Sequence, residues 1–146
     1  MGGSVAVGRA VGRLLDANLN RAAEGLRVCE EIARLILEEP ALTRRFQRLR
    51  YRLRRAAGAR AVHWLKARDS RSDVGRPSLR DGRRLHRKLQ GLAAANLRRA
   101  EEALRVLEEF SRLESLRASR SFASIRFGVY ALEQDLVRRL SAVRHR

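Results

Sequence analysis

Apolar residues recur along this chain at helical spacing. Leu15, Leu19, Leu26 and Cys29 fall three, four or seven residues apart, the spacing that brings side chains onto one face of a helix. The same spacing predicts four helices, over about residues 11–38, 41–66, 78–114 and 119–143. No segment alternates apolar and polar residues as a half-buried strand would. We therefore predict an all-α fold with the architecture of a four-helix bundle.

The second half of the chain repeats the first. Residues 16–35 read DANLNRAAEGLRVCEEIARL and residues 94–113 read AANLRRAEEALRVLEEFSRL, identical at thirteen of twenty positions. A weaker match joins residues 46–51 and 122–127. These matches predict one domain over residues 1–146, built from two copies of a helical hairpin. The first copy covers about 11–66, the loop 67–80, and the second copy about 81–143.

Turn-forming residues mark the predicted boundaries. Pro40 ends the first helix and suits the first turn of the second. Gly75 and Pro77 favour a loop, and Ser78 with Asp81 three residues later is close to a capping box that starts the third helix.

Polar residues fall on predicted apolar faces. A helical wheel places Asn18, Arg21 and Gly25 inside the arc marked by Leu26 and Val28. Asn96 and Arg99 take the matching places in the third helix, among Val106 and Phe110.

Buried arginine and asparagine side chains are costly unless they find partners. Glu24 and Glu102, three residues after Arg21 and Arg99, are the nearest candidates. Two interpretations stay open: structural networks that fix helix register, or a cleft that these groups line for a polar ligand. Gly25 fits either one, because it permits close approach of a ligand or of a second helix.

Arg50 and Arg126 lie beside the apolar stripes of the second and fourth helices, at matching places in the two copies. Each could bury its stem and keep its head in water, or contact phosphate with its guanidinium fork.

The segment 68–75, RDSRSDVG, has no counterpart elsewhere in the repeat. Asp69 and Asp73 could hold Mg²⁺, which takes few protein carboxylates when a substrate supplies phosphates. Arg68 could face those phosphates. The other interpretation is a solvated linker in which the aspartates cap turns.

The formal net charge of the chain is +17. Only Lys66 and Lys88 are lysines, and every other permanently positive side chain is an arginine. Such a field attracts phosphate without distinguishing nucleic acid from small esters. No Gly-rich phosphate loop occurs, so arginines and helix N-termini would have to hold any phosphate. The lone Cys29 excludes an internal disulfide, and His63, His86 and His145 show no ligand spacing. No apolar run of membrane-spanning length or secretory signal is visible, so we expect a cytoplasmic protein.

Four blocks in order resemble the monofunctional hydroxymethylpyrimidine-phosphate kinases of thiamin synthesis. They are DANLNRAAEGLRVCEE, RDSRSDVG, AANLRRAEEALRVLEEF and RFGVYALE, and the likeness covers about residues 14–136. The same helical domain is often fused ahead of thiamine-phosphate synthase. Ser70, where the family's loop is expected to have threonine, and Cys29, in place of leucine, depart from the pattern.

The resemblance implies ATP-dependent phosphorylation of hydroxymethylpyrimidine phosphate to its diphosphate, with Mg²⁺. The motif positions that carry it are Asn18, Arg21, Glu24, Asn96, Arg99, Glu102, Arg68, Asp69, Asp73 and Gly75. On this interpretation Arg21, Arg99 and Arg68 clamp phosphates and the two aspartates hold metal. Asn18, Asn96, Glu24 and Glu102 then orient arginines or bind the aminopyrimidine edge.

Two rival functions remain. A nucleic-acid-binding module is favoured by the charge and opposed by the expected scarcity of exposed aromatic residues for base stacking. A non-catalytic partner of a separate thiamine-phosphate synthase is the other. A homo-oligomer, with the cleft between chains, is also compatible with the sequence.

Overall fold

The described part of the chain is mostly helical. The structure, a computed structural model, describes residues 2–75, 85–86 and 88–143. Within them the helices are α1 (Gly2–Glu31), α2 (Pro40–Ala57), α3 (Arg60–Ala67), α4 (Leu89–Ser111) and α5 (Leu116–Val143). A π-helical turn, Ile32–Ile36, extends α1, and these residues include no strand. The predicted all-α fold is confirmed.

The four long helices form a bundle in which neighbours run antiparallel. Gly25 of α1 lies against Asn96 of α4, and Cys29, which follows Gly25 in α1, lies against Ala93, which precedes Asn96 in α4. The two helices therefore run antiparallel. In the same way, Arg126 of α5 pairs with Glu108 of α4, and the side chain of Gln90 donates to the carbonyl of Leu140.

Helices α2 and α5 close the bundle. The Nη2 atom of Arg52 donates to Ser124 Oγ at 2.7 Å, and Arg45, earlier in α2, pairs with Asp135, later in α5. The core between these helices is mainly aliphatic, and it includes one fully buried phenylalanine from each half of the chain. Its largest fully buried side chains are Phe46, Phe122, Leu15, Leu26, Leu42, Leu53, Leu97, Leu104, Leu107, Ile125, Leu132 and Leu136.

The two hairpins make matching contacts. Asn18 Nδ2 and Asn96 Nδ2 each donate to the carbonyl four residues earlier at 2.9 Å. Arg27 pairs with the two glutamates that follow it, and Arg105 does the same in the second hairpin. These pairs support the predicted duplication, which stays a prediction.

Several predicted boundaries were wrong. Helix α1 begins at Gly2 rather than near residue 11. The predicted helix over 41–66 is broken at Gly58, whose φ of +55° is a backbone conformation that glycine adopts at little steric cost. The predicted start at Ser78 lies outside the described residues, and α4 begins only at Leu89.

Short helix α3 packs on the N-terminal part of α1. A Cβ atom at Gly12 would lie 3.3 Å from Ala67 Cβ, so the two helices are close there. Trp64 is buried at this contact, and its Nε1 donates to Glu114 Oε2 at 3.3 Å. This packing places the loop that follows α3 beside α1. Among the described helices, none is both long and apolar enough to cross a membrane.

Candidate functional site

The loop after α3 is fastened to α1 by two arginines. Arg68 donates from Nε to Asp16 Oδ2 at 2.6 Å and from Nη2 to Asp16 Oδ1 at 2.9 Å. Asp16 is buried, whereas the side chain of Arg68 is nearly half exposed. Arg13 Nη2 donates to the main-chain oxygen of Asp69 at 3.0 Å. The fork-to-carboxylate geometry fixes Arg68 in direction as well as position.

The two loop aspartates cap turns. Asp69 accepts hydrogen bonds from the main-chain N–H and the hydroxyl of Ser72, and these bonds hold the pKa of Asp69 below its ordinary value. Asp73 Oδ1 accepts from the main-chain N–H of Gly75 at 2.8 Å. The linker interpretation of the sequence, with aspartates as caps, therefore describes this local structure correctly.

A concave space of about 620 Å³ lies between this loop, α1 and α4; we call it the loop cavity. Its volume falls in the range of small-molecule sites. It is lined by Ala10, Arg13, Leu14, Asp16, Ala17, Asn18, Asn20, Arg21, Arg68, Asp69, Ser70, Asp73, Val106 and Phe110. Three arginines and three aspartates thus surround one space.

Only part of the predicted site lines this cavity. Five predicted residues do: Asn18, Arg21, Arg68, Asp69 and Asp73. The others do not line it, and they are Glu24, Arg50, Gly75, Asn96, Arg99, Glu102 and Arg126.

The expectation that Arg21 and Arg99 are buried was wrong. Both residues are exposed, and neither makes an ion pair with any residue in the described ranges. On the helical wheel, the predicted apolar arc extended too far toward Arg21 and Arg99, because it was drawn partly from Val28 and Phe110. These two residues are 36% and 37% exposed. Arg21 still lines the loop cavity, whereas Arg99 does not.

Asn18 is buried as predicted, and Asn96 is half-buried. Each amide satisfies its own helix by donating to a carbonyl four residues earlier. Glu24 and Glu102 are exposed and make no ion pair with Arg21 or Arg99 in the described part of the chain, so the predicted Arg–Glu–Asn clusters do not form.

Arg50 and Arg126, for which the sequence left two roles open, each form an ion pair between helices. Arg50 Nη1 pairs with Glu30 Oε2 at 2.6 Å, and Arg126 Nη2 pairs with Glu108 Oε2 at 2.7 Å. Both pairs are largely buried and join neighbouring helices. Hydrogen bonds to Tyr130 and Glu108 raise the pKa of Arg126, so it stays charged.

Gly25 is a packing notch. A Cβ atom there would lie 2.5 Å from the main-chain oxygen of Asn96, so α1 and α4 approach too closely for any side chain. The close approach that the sequence suggested is confirmed, and a helix rather than a ligand occupies it.

Sequence reasoning missed Arg13 and Asp16. Both stand where the first repeat departs from the second, opposite Gly91 and Ala94. A comparison of the two copies for such departures would have found them, because a duplicated scaffold with one site should differ where that site lies.

The carboxylates of the loop cavity suit Mg²⁺ only in part. Among described residues, no group of three or more His, Cys, Asp or Glu side chains could hold a metal ion. Asp69 and Asp73 each give some hydrogen-bonding capacity to a turn but keep further lone pairs. Two carboxylates fit a cation that draws its other ligands from water and phosphate.

Exposed aromatic residues are more numerous than expected. Tyr51, Phe127 and Tyr130 are 63%, 64% and 41% exposed. Each ring has an arginine over it: Arg55 lies 5.7 Å from the Tyr51 centroid, and Arg126 contacts both other rings. The argument from aromatic scarcity against nucleic-acid binding was therefore wrong.

Comparison with known proteins gives consistent matches. The ThiD2 family model matches residues 13–135. A thiamine-phosphate synthase of Synechocystis sp. is 41% identical over 128 residues, which is 88% of this chain and 36% of that protein. For the thiamine-phosphate synthase of Rhodopirellula baltica the values are 34% over 139 residues, 94% of this chain and 37% of that protein. The chain thus spans about a third of the length of these curated relatives. No solved structure matches it.

Proposed function

Because this chain belongs to the ThiD2 family, we propose that it acts in thiamin biosynthesis as an ATP-dependent kinase that converts hydroxymethylpyrimidine phosphate to its diphosphate. The coarser part of this proposal, a role in thiamin synthesis, has support from the family and from relatives that are thiamine-phosphate synthases. The finer part, kinase activity, is argued from the loop cavity.

The observation that carries the proposal is the composition of the loop cavity. Arg13, Arg21 and Arg68 supply cationic forks, and Asp69 and Asp73 supply carboxylates, around a space that admits a small molecule. The second repeat has Gly91 and Ala94 where the first has Arg13 and Asp16. We therefore infer one catalytic site per chain rather than two.

The proposed reaction places few demands on acid–base chemistry. A terminal phosphate oxygen of the substrate, already ionised at neutral pH, attacks the γ-phosphorus of ATP. A new P–O bond forms, the bond to the β–γ bridging oxygen breaks, and ADP leaves. Arginines around the cavity would reduce the repulsion between the two anions and hold them in line, which is the main requirement of phosphoryl transfer.

Asp16 serves as a positioning residue in this scheme. It accepts hydrogen bonds from Nε and Nη2 of Arg68. The remaining guanidinium nitrogen, Nη1, donates to no residue in the described ranges. A fork held in this way loses less conformational freedom when it binds phosphate. Asp69 and Asp73 would hold Mg²⁺, which when bound neutralises charge on the phosphates.

The direct test is an assay of the purified chain with ATP, Mg²⁺ and the pyrimidine monophosphate, in which the diphosphate product is separated and quantified. Arg21→Ala should lower kcat/KM by about 10- to 100-fold, because a charged hydrogen bond to phosphate contributes about 1.5–3 kcal/mol. Absence of product from the wild-type chain would refute the kinase proposal.

Arg99→Ala is the matched control. Arg99 is the repeat equivalent of Arg21, is also exposed, and lies outside the loop cavity. Its removal changes the net charge by the same amount, so it should alter kcat/KM by less than about twofold if position rather than overall charge matters. Equal losses in both variants would mean that the loop cavity is not the site.

A second candidate function rests on the relatives' names and lengths. Because the chain matches about a third of proteins named thiamine-phosphate synthase, it could act as a non-catalytic partner of such a synthase. Co-purification with a separate synthase, together with no diphosphate formation, would favour this function over the kinase.

A further inference from the structure

A second cavity of the described chain lies away from the loop cavity. It occupies about 680 Å³ between the C-terminal half of α2, the start of α3 and the first turns of α5. Five arginines line it, Arg52, Arg55, Arg60, Arg117 and Arg120, and we call it the arginine cavity. Among the residues that the structure describes, three serines and no carboxylate complete its polar lining.

No carboxylate within the described residues pairs with any of these five arginines. Arg52 donates to the hydroxyl of Ser124, and Arg60 Nη2 donates to the main-chain oxygen of Ala56. Arg60 Nε is buried without a hydrogen-bond partner in the described ranges. Arg117 and Arg120 make no side-chain hydrogen bond or ion pair there either.

Clustering five like charges around a concavity is unfavourable in the absence of counter-ions. The arrangement becomes favourable when an anion with several charges occupies it, because each guanidinium fork can bind phosphate oxygens. The amino terminus of α5, which starts at Leu116, adds partial positive charge to the same place.

We propose that the arginine cavity binds a small molecule that carries two or more linked phosphates. The volume is that of a small-molecule site. The ligand can be an inorganic polyphosphate or the phosphate chain of a nucleotide, since both present the same chemistry. This site is independent of the proposed kinase site, which involves other helices and the loop 68–75.

The test is isothermal titration of the full chain with inorganic triphosphate at fixed ionic strength near 0.15 M. We expect saturable binding that Arg117→Ala/Arg120→Ala weakens about tenfold or more. Arg48→Ala/Arg54→Ala is the matched control, because these exposed arginines of α2 lie outside the cavity and their loss removes the same charge. It should weaken binding by less than about twofold. Circular dichroism checks that both variants stay helical.

Because the loop cavity is itself proposed to bind a nucleotide, each titration is repeated in an Arg21→Ala background. Triphosphate binding that survives there and is lost with Arg117 and Arg120 supports the proposal whether or not the chain is a kinase. Equal weakening by the pocket and control variants, or binding abolished by Arg21→Ala alone, would overturn it.

Two further ligands identify the source of the phosphates. Equal affinity for ATP and triphosphate would show that the phosphate chain alone is recognised, and tighter ATP binding would show a nucleotide site. A single-stranded RNA that binds more tightly than both, and loses affinity equally in the pocket and control variants, would overturn the small-molecule proposal in favour of a nucleic-acid surface.

Discussion

Gly25→Ala tests whether the contact between α1 and α4 fixes the geometry of the bundle. The added Cβ atom would lie 2.5 Å from the main-chain oxygen of Asn96, below the 3.0 Å that real Cβ contacts essentially never breach. The atom in the way is backbone, so it cannot rotate aside. The two helices would have to separate by about 0.5 Å or more, along a contact that also buries Ala100.

The expected cost follows from two opposing effects. Overpacking of a closely packed contact costs about 1–3 kcal/mol, and helix propensity returns up to about 1 kcal/mol when alanine replaces glycine. Because a backbone atom is the obstacle, we expect a net loss of about 2 kcal/mol in the free energy of unfolding. In a chain of this length that loss lowers the Tm by about 4–8 °C.

Gly8→Ala is the matched control in the same helix. A Cβ atom there meets nothing within 4 Å, so only the propensity effect remains. This variant should be more stable than wild type by about 0.5–1 kcal/mol. Urea unfolding followed by circular dichroism measures both variants. A Gly25→Ala protein as stable as wild type, or both variants changing in the same direction, would refute the reasoning.

Three further predictions concern buried polar groups. Arg50→Ala should lower the free energy of unfolding by about 2–4 kcal/mol in urea denaturation. The substitution leaves the Glu30 carboxylate, which is 2% exposed, paired only with Arg27, whose side chain is 47% exposed. Burial and the neighbouring Glu133 carboxylate raise the pKa of Glu101 to about 7 from an ordinary value of 4.5, so its contribution to stability is fully present below about 4.5 and is lost as pH rises through 7. Glu101→Gln should therefore gain about 1–2 kcal/mol over wild type between pH 4.5 and 8 in parallel urea titrations, a value reduced from 1.36 kcal/mol per pKa unit for partial exposure; no pH dependence of the difference would contradict it. Burial raises the pKa of Cys29 to about 12. An aromatic disulfide reagent at pH 8 should therefore modify the native chain at least about 100-fold more slowly than the urea-unfolded chain. The rate is measured from the release of the reagent's own thiolate.

Much of the architecture could be predicted from the sequence. The spacing of Leu15, Leu26, Leu97 and Leu104 is enough to predict helices, because one face of each must be apolar to bury. The repeat predicts that these helices pair in the same way twice. The sequence also indicated that Gly25 allows a close approach, but it did not indicate that Asn96 is the residue that approaches it.

The candidate site was only partly predictable. The loop 68–75 was recognised because it breaks the repeat, and Arg68, Asp69 and Asp73 do line a cavity. The roles of Arg50 and Arg126 stayed open because a guanidinium suits a carboxylate as well as a phosphate, and the sequence does not say which lies nearer.

The sequence by itself determined where helices form and which broad face of each is apolar, since both depend on residues within a few turns of one another. Tertiary structure decided which side chains meet. The exposure of Arg21 and the pairing of Arg68 with Asp16 depend on how far each helix rotates and on where α3 places the loop. Those quantities are set by packing between segments some fifty residues apart, which local periodicity does not encode.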